Sequence, residues 1–224
     1  MNGHERAERL REELGSLRES GCTMLVVGDV PGEVSRRACA DFCGGPEHEL
    51  VAVQTGGGCA CDHEALTESP THTVRWADHA RGTAATDGAV QFAGGEGRAG
   101  TVTEVETLAE LGAATVTAVD RVATDTEPGE LRVCVDSLGP LVEASSERSA
   151  FKLLHQLNAA VREARGLGHV HLPMVRDAER VTVLSALFDV TVELDLFGGE
   201  PRQRWYLHEA GIVSDWLPIG VGER

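Results

Sequence analysis

A chain of 224 residues is long enough for one α/β domain with a sizeable core. Its 20 basic residues stand against 36 acids, a formal net charge of −16, and Lys152 is its one lysine. So acidic a surface argues against a large phosphate-binding face, and hence against nucleic acid as a partner. It resembles the surface of salt-in halophilic proteins, which dense carboxylates keep hydrated and self-repelling where salt screens charge.

No apolar run reaches the length needed to span a bilayer, so no membrane partner is expected. The first residues, MNGHERAERLREEL, lack the apolar core of a signal peptide. The expectation is a cytoplasmic protein whose six cysteines are reduced.

Residues 4–19 place Leu10, Leu14 and Leu17 on one stripe of a charged helix, so 1–20 read as an N-terminal amphipathic helix. That stripe packs on the outside of the sheet or on a partner. Residues 21–224 read as one α/β domain with an irregular insertion at about 55–100. Its first strand is Cys22–Gly28. A turn punctuated by Gly28, Pro31 and Gly32 follows, then a helix with Val34, Ala38 and Phe42 inward. Glu49–Gln54 is the second strand. Short strands are expected at Thr71–Trp76 and Ala89–Phe92, and a helix from Thr103 to Ala123 with Gly112 as a weak point or close contact.

Leu131–Val135 is a short apolar run ending in Asp136-Ser137, the pattern of a buried parallel strand. Ser145-Ser146-Glu147 signals the start of a helix carrying Phe151, Leu154, Leu157 and Val161 inward. Gly168–Pro173 is the next strand, and Asp177 caps a helix through Leu187. Phe188–Leu196 alternates as a strand, with Arg202–Leu207 as its antiparallel mate. Strands alternating with helices imply a mostly parallel sheet covered on both faces, closed by an antiparallel hairpin.

The turn after the first strand sits where a phosphate loop would occur. Counted from Gly28, the pattern G-x-x-x-x-G-K-[ST] requires glycine, lysine and hydroxyl at 33–35, where the chain has Glu33, Val34 and Ser35. The neutralising lysine is missing, and a carboxylate stands where an anion would rest. No glutamate follows the second strand, which ends Gln54-Thr55-Gly56, so a general base is lacking; Glu64 and Glu68 lie well into the loop.

Cys59-Ala60-Cys61-Asp62-His63 has metal-like composition, and Cys39 and Cys43 stand at i, i+4 on the first sheet-packed helix. Topology sets these two pairs at opposite ends of the sheet, so the thiols read as small core groups and no metal is expected. His169 and His171 alternate on one strand and face one side of the sheet as core or edge residues. The glycines at 94, 95 and 97 precede no clear helix. Trp205, Tyr206 and Trp216 gather near the C-terminus as local core or as a partner surface.

The set LRVCVDSLGPLVE, SAFKLLHQLNAAVREARG, GLGHVHLP and LSALFDVTVELDL with its hairpin RQRWYL resembles the RecA/KaiC-like ATPase superfamily. The nearest likeness is to degenerate KaiC/RadA-type proteins of haloarchaea, over about Cys22 to Leu207. The resemblance implies a RecA-like three-layer sandwich. It maps the family's Mg²⁺-holding acid onto Asp136 and its phosphate loop onto Gly28–Ser35, with lysine and catalytic glutamate unmatched.

The implied function is a regulatory or scaffolding pseudo-ATPase with no catalytic residue and no cofactor. Its partner would be a related active ATPase, a signalling protein or further copies of itself, joined through the sheet edge or the aromatic tail. The alternative is an ATP·Mg²⁺-binding switch of weak or lost hydrolysis. In that case Gly28, Gly32, Ser35, Asp136 and Ser137 hold the ligand, with Arg36 or Arg37 replacing the lysine.

Overall fold

The apolar runs of the sequence become the interior of one sheet. The computed structural model describes residues 3–56, 71–77 and 100–220. Its strands are β1 Cys22–Val27, β2 Glu49–Gln54, β3 His72–Trp76, β4 Thr101–Val105, β5 Leu131–Val135, β6 Leu167–Leu172, β7 Val190–Phe197, β8 Glu200–Leu207, β9 Ile212–Val213 and β10 Leu217–Pro218. Its helices are α1 Gly3–Ser20, α2 Gly32–Cys43, α3 Leu108–Ala123, α4 Gly139–Ala144, α5 Glu147–Glu163 and α6 Glu179–Ser185.

The strand order is β10-β8-β7-β1-β6-β5-β2-β3-β4, with β9 on β8. From β7 to β4 every pair is parallel; β7, β8, β9 and β10 pair antiparallel. This is the expected mostly parallel α/β sheet with a C-terminal antiparallel hairpin. Strands β1 and β5 are buried along their whole length, as both-face coverage requires.

Alternation divides the core. Leu25, Val27, Val51, Val53, Val133, Val135, Val170 and Leu172 face one layer with Leu111, Leu154, Leu157 and Val161 of α3 and α5. Met24, Val26, Val190 and Val192 face the other, with Val34, Ala38 and Phe42 of α2. Leu10, Leu14 and Leu17 of α1 pack on this second layer, the outside-of-sheet alternative for that stripe.

Gly112 lets α3 approach α5 closely: a Cβ there would stand 3.1 Å from Leu153 Cδ1. Ser146 caps α5, its side chain accepting from the Ser149 amide.

Two local expectations need correcting. Thr101–Val105 is a strand, not the start of the following helix. Its β-branched residues favour extension, and the capping box of Thr107 and Glu110 starts the helix only at Leu108. Asp177 does not cap α6: Ala178 is the N-cap residue, with no side-chain cap bond. The six-residue α4 follows Leu138, its proline at the entry position. The strand expected at Ala89–Phe92, the Cys59–His63 segment, Glu64, Glu68 and the glycines at 94–97 lie outside the described residues.

Candidate functional site

Open parallel sheets bind ligands beyond the C-terminal ends of their strands. Here β7, β1, β6 and β5 run side by side, and a cleft of about 140 Å³ opens at their C-terminal ends. Gly28, Gly32, Ser35 and Asp136 line it together with His171 and Leu194. Four of the five residues picked from the sequence thus meet in one place. Ser137 does not line the cleft; it is 1% exposed, and its hydroxyl accepts from the Gly139 amide at 3.2 Å. Cavities for drug-sized ligands span roughly 300–1,000 Å³, so this cleft suits a small anion or a few waters.

The β1–α2 turn is tight because β7 passes close behind it. Gly28 has φ +146°, and a Cβ there would lie 2.5 Å from the Leu194 carbonyl oxygen. Only glycine fits. Its amide does not face the cleft: it donates to the Met174 carbonyl at 2.8 Å. At the other end of the turn, the amides of Val34 and Ser35 both donate to the Pro31 carbonyl, at 2.9 and 3.4 Å. A phosphate loop works because consecutive amides point at the anion. Here the first and last of them are already engaged within the protein.

Asp136 is 7% exposed and directly follows β5. Its Oδ1 accepts from the Thr55 amide at 2.9 Å, the Thr55 hydroxyl at 2.7 Å and the Ser137 amide at 2.6 Å. The Thr55 hydroxyl also lies 2.8 Å from the Ser137 carbonyl. The acid therefore ties the end of β2 to the turn leaving β5. Thr55 was not singled out in the sequence; a hydroxyl directly after a strand that flanks the acid-bearing strand is the signal that would have found it.

Glu33 sits exposed in the first turn of α2. Neither Arg36 nor Arg37 lines the cleft, and the Arg37 guanidinium lies beside Gly220. As a cradle for Mg²⁺ and a triphosphate this donor set does not fit: it lacks the ammonium group, the loop amides at either end, and an uncommitted Oδ1 on Asp136.

On the far edge, Tyr206 donates to Glu193 at 2.6 Å under the Arg176 guanidinium, and its phenol is raised above its ordinary pKa by burial and by that carboxylate. Arg202 stacks on Phe197 and Trp216, both at 4.3 Å, and Arg204 on Trp216 at 4.4 Å. Phe197 is 66% exposed at the hairpin tip, with Leu196 and Leu217 also exposed. A larger groove of about 460 Å³ lies between α4, α5 and α6, with Phe151 and Met174 in its wall.

A model described as a family of unknown function, DUF7504, matches residues 21–194. The chain belongs to the DUF7504 family. The match spans β1 through most of β7 and so contains every residue of the cleft. The DUF7504 chain is also similar in structure to an uncharacterized protein from Pyrococcus horikoshii, solved in complex with an unknown peptide. Their TM-score is 0.54 at 12% identity, over 90% of this chain and 89% of that one. At that identity the likeness is one of fold. No curated protein matches the sequence. Among the described residues, no helix is long and apolar enough to cross a membrane.

Proposed function

We propose that this DUF7504 chain is a non-catalytic RecA/KaiC-like module, a regulator or scaffold that acts through a protein partner. One observation carries the reading. The two ends of what would be a nucleotide site are engaged internally: the Gly28 amide by Met174, and Asp136 Oδ1 by three donors from Thr55 and Ser137. The missing lysine and the exposed Glu33 agree with it.

The partner surface would be the β7–β8 hairpin tip, where the Arg202 guanidinium lies over the exposed Phe197 ring and over Trp216. Aromatic and arginine side chains in an exposed apolar setting are the usual anchors of protein recognition. That the Pyrococcus protein was solved with a peptide supports a peptide or protein as the occupant. The charge of −16 supports a halophilic cytoplasm as its setting.

Thermal melting with and without ATP·Mg²⁺ tests the reading. A ligand present at about 100 times its Kd adds about 2.7 kcal/mol of stability. The curves are expected to superimpose; a clear rise with nucleotide would contradict the proposal.

The second reading is a nucleotide-binding switch with weak or lost hydrolysis. It is favoured by the convergence of Gly28, Gly32, Ser35 and Asp136 on one cleft. Under it, Asp136→Asn removes a nucleotide-dependent stabilisation that the native chain shows.

A further inference from the structure

Behind the cleft, α2 presses its C-terminal half onto β5 and β6. This brings Cys39, Cys43, Cys134 and His169 together, all four buried, with their ligand atoms within 4.8 Å of one another. The Sγ atoms of Cys39 and Cys134 are 3.5 Å apart, and those of Cys39 and Cys43 are 3.9 Å apart. His169 Nε2 lies 3.5 Å from Cys39 Sγ and 3.9 Å from Cys43 Sγ.

These spacings discriminate between chemistries. Bonded sulfurs would be about 2.05 Å apart, so the thiols are not disulfides of one another. Thiolates bound at about 2.3 Å in a tetrahedron around one zinc ion stand about 3.8 Å apart, and a thiolate and an imidazole nitrogen about 3.6 Å apart. The four distances bracket those values. A set this tight encloses a single ion and leaves no room for an iron–sulfur cluster.

We infer that Cys39, Cys43, Cys134 and His169 form a structural zinc site that pins α2 to strands β5 and β6. The inference is independent of whether a nucleotide occupies the cleft.

The residue types and their setting agree with a closed site. Three soft thiolates with one imidazole, and no position open to solvent, are the donors of structural zinc. The i, i+4 spacing of Cys39 and Cys43 presents both sulfurs on one face of α2. His169 is 0% exposed, and its ring is held between Phe42, at 5.5 Å, and His171, at 5.3 Å. Packing thus sets the ring orientation that a second hydrogen bond often supplies, since His169 Nδ1 has no such partner.

Charge also closes. Binding Zn²⁺ to three thiols and a neutral imidazole releases three protons to solvent and leaves a centre of net charge −1. Arg132, 5% exposed and one step along the same face of β5 from Cys134, lies within electrostatic reach of Cys43 and supplies the balancing charge.

The experiment uses the full chain, reduced, stripped of metal and reloaded with Zn²⁺ or Co²⁺. Elemental analysis is expected to give one zinc per chain after desalting, and cobalt the intense visible bands of a tetrahedral thiolate site. Melting temperature should rise with zinc and fall back with a chelator. Replacing Cys59 and Cys61 together with serine should leave all of this unchanged, whereas Cys39→Ser and Cys134→Ser should each abolish retention. Should those single variants fail to fold, the unsubstituted chain decides through its stoichiometry and cobalt spectrum. No retained zinc and no cobalt bands would overturn the inference. So would retention in a Cys39→Ser/Cys134→Ser double variant, loss in the Cys59/Cys61 variant alone, or a Cys39–Cys134 disulfide in the reduced preparation.

Discussion

The Thr55 hydroxyl donates to Asp136 Oδ1 at 2.7 Å, across two neighbouring strands. The acid that would hold a metal in an ATPase here closes the end of β2 onto the turn after β5. Hydrogen bonds to a buried carboxylate contribute about 1.5–3 kcal/mol. Asp136→Asn should therefore lower unfolding stability by about that amount, and Thr55→Val by somewhat less. The double variant should fall short of the sum, with a coupling of about 0.5–3 kcal/mol in denaturant titrations. Additive losses would separate the two residues.

Gly28 permits the close pass of β7 behind the β1–α2 turn. Gly28→Ala places a methyl group against the Leu194 carbonyl at a positive φ. Strain of this kind costs about 1–3 kcal/mol. The expected result is a lower denaturation midpoint with an unchanged slope.

His48 gives the fold an acid limit. It is 6% exposed, and burial, with Arg132 nearby, holds its pKa below the ordinary 6.5. The unfolded chain therefore binds the proton more readily. Stability is fully present above about pH 6.5 and falls as pH drops toward the depressed folded value. In His48→Asn the slope of stability against pH should flatten in that window, measured by urea unfolding at several pH values.

Self-repulsion among 36 acids against 20 basic residues predicts a salt response. The Debye length falls from about 10 Å at 0.1 M salt to about 3 Å at 1 M. Melting temperature should rise between those conditions in KCl. A flat or falling curve would detach the charge from a high-salt setting.

Much of the architecture is legible in the sequence because it rests on local signals. The inward set Val34, Ala38 and Phe42 of α2 is fixed by helical spacing, and the Ser146 cap by its hydroxyl. The cleft is legible because strand, glycine turn and helix are contiguous, and because an acid at the end of a buried strand has one usual place. What was not legible depends on which strands become neighbours. Cys39 and Cys134 are 95 residues apart and meet only because β5 lies beside β6 beneath α2. Spacing alone offered Cys39 and Cys43 a different pair of thiols. Likewise Thr101–Val105 merges into the helical register of the residues after it, and only pairing with β3 makes it a strand.

The most direct test of the central claim is a calorimetric titration of the reduced chain with ATP and Mg²⁺ in molar KCl. The account predicts no saturable heat. A saturable isotherm in the micromolar range, lost when Asp136 is replaced with asparagine, would contradict it.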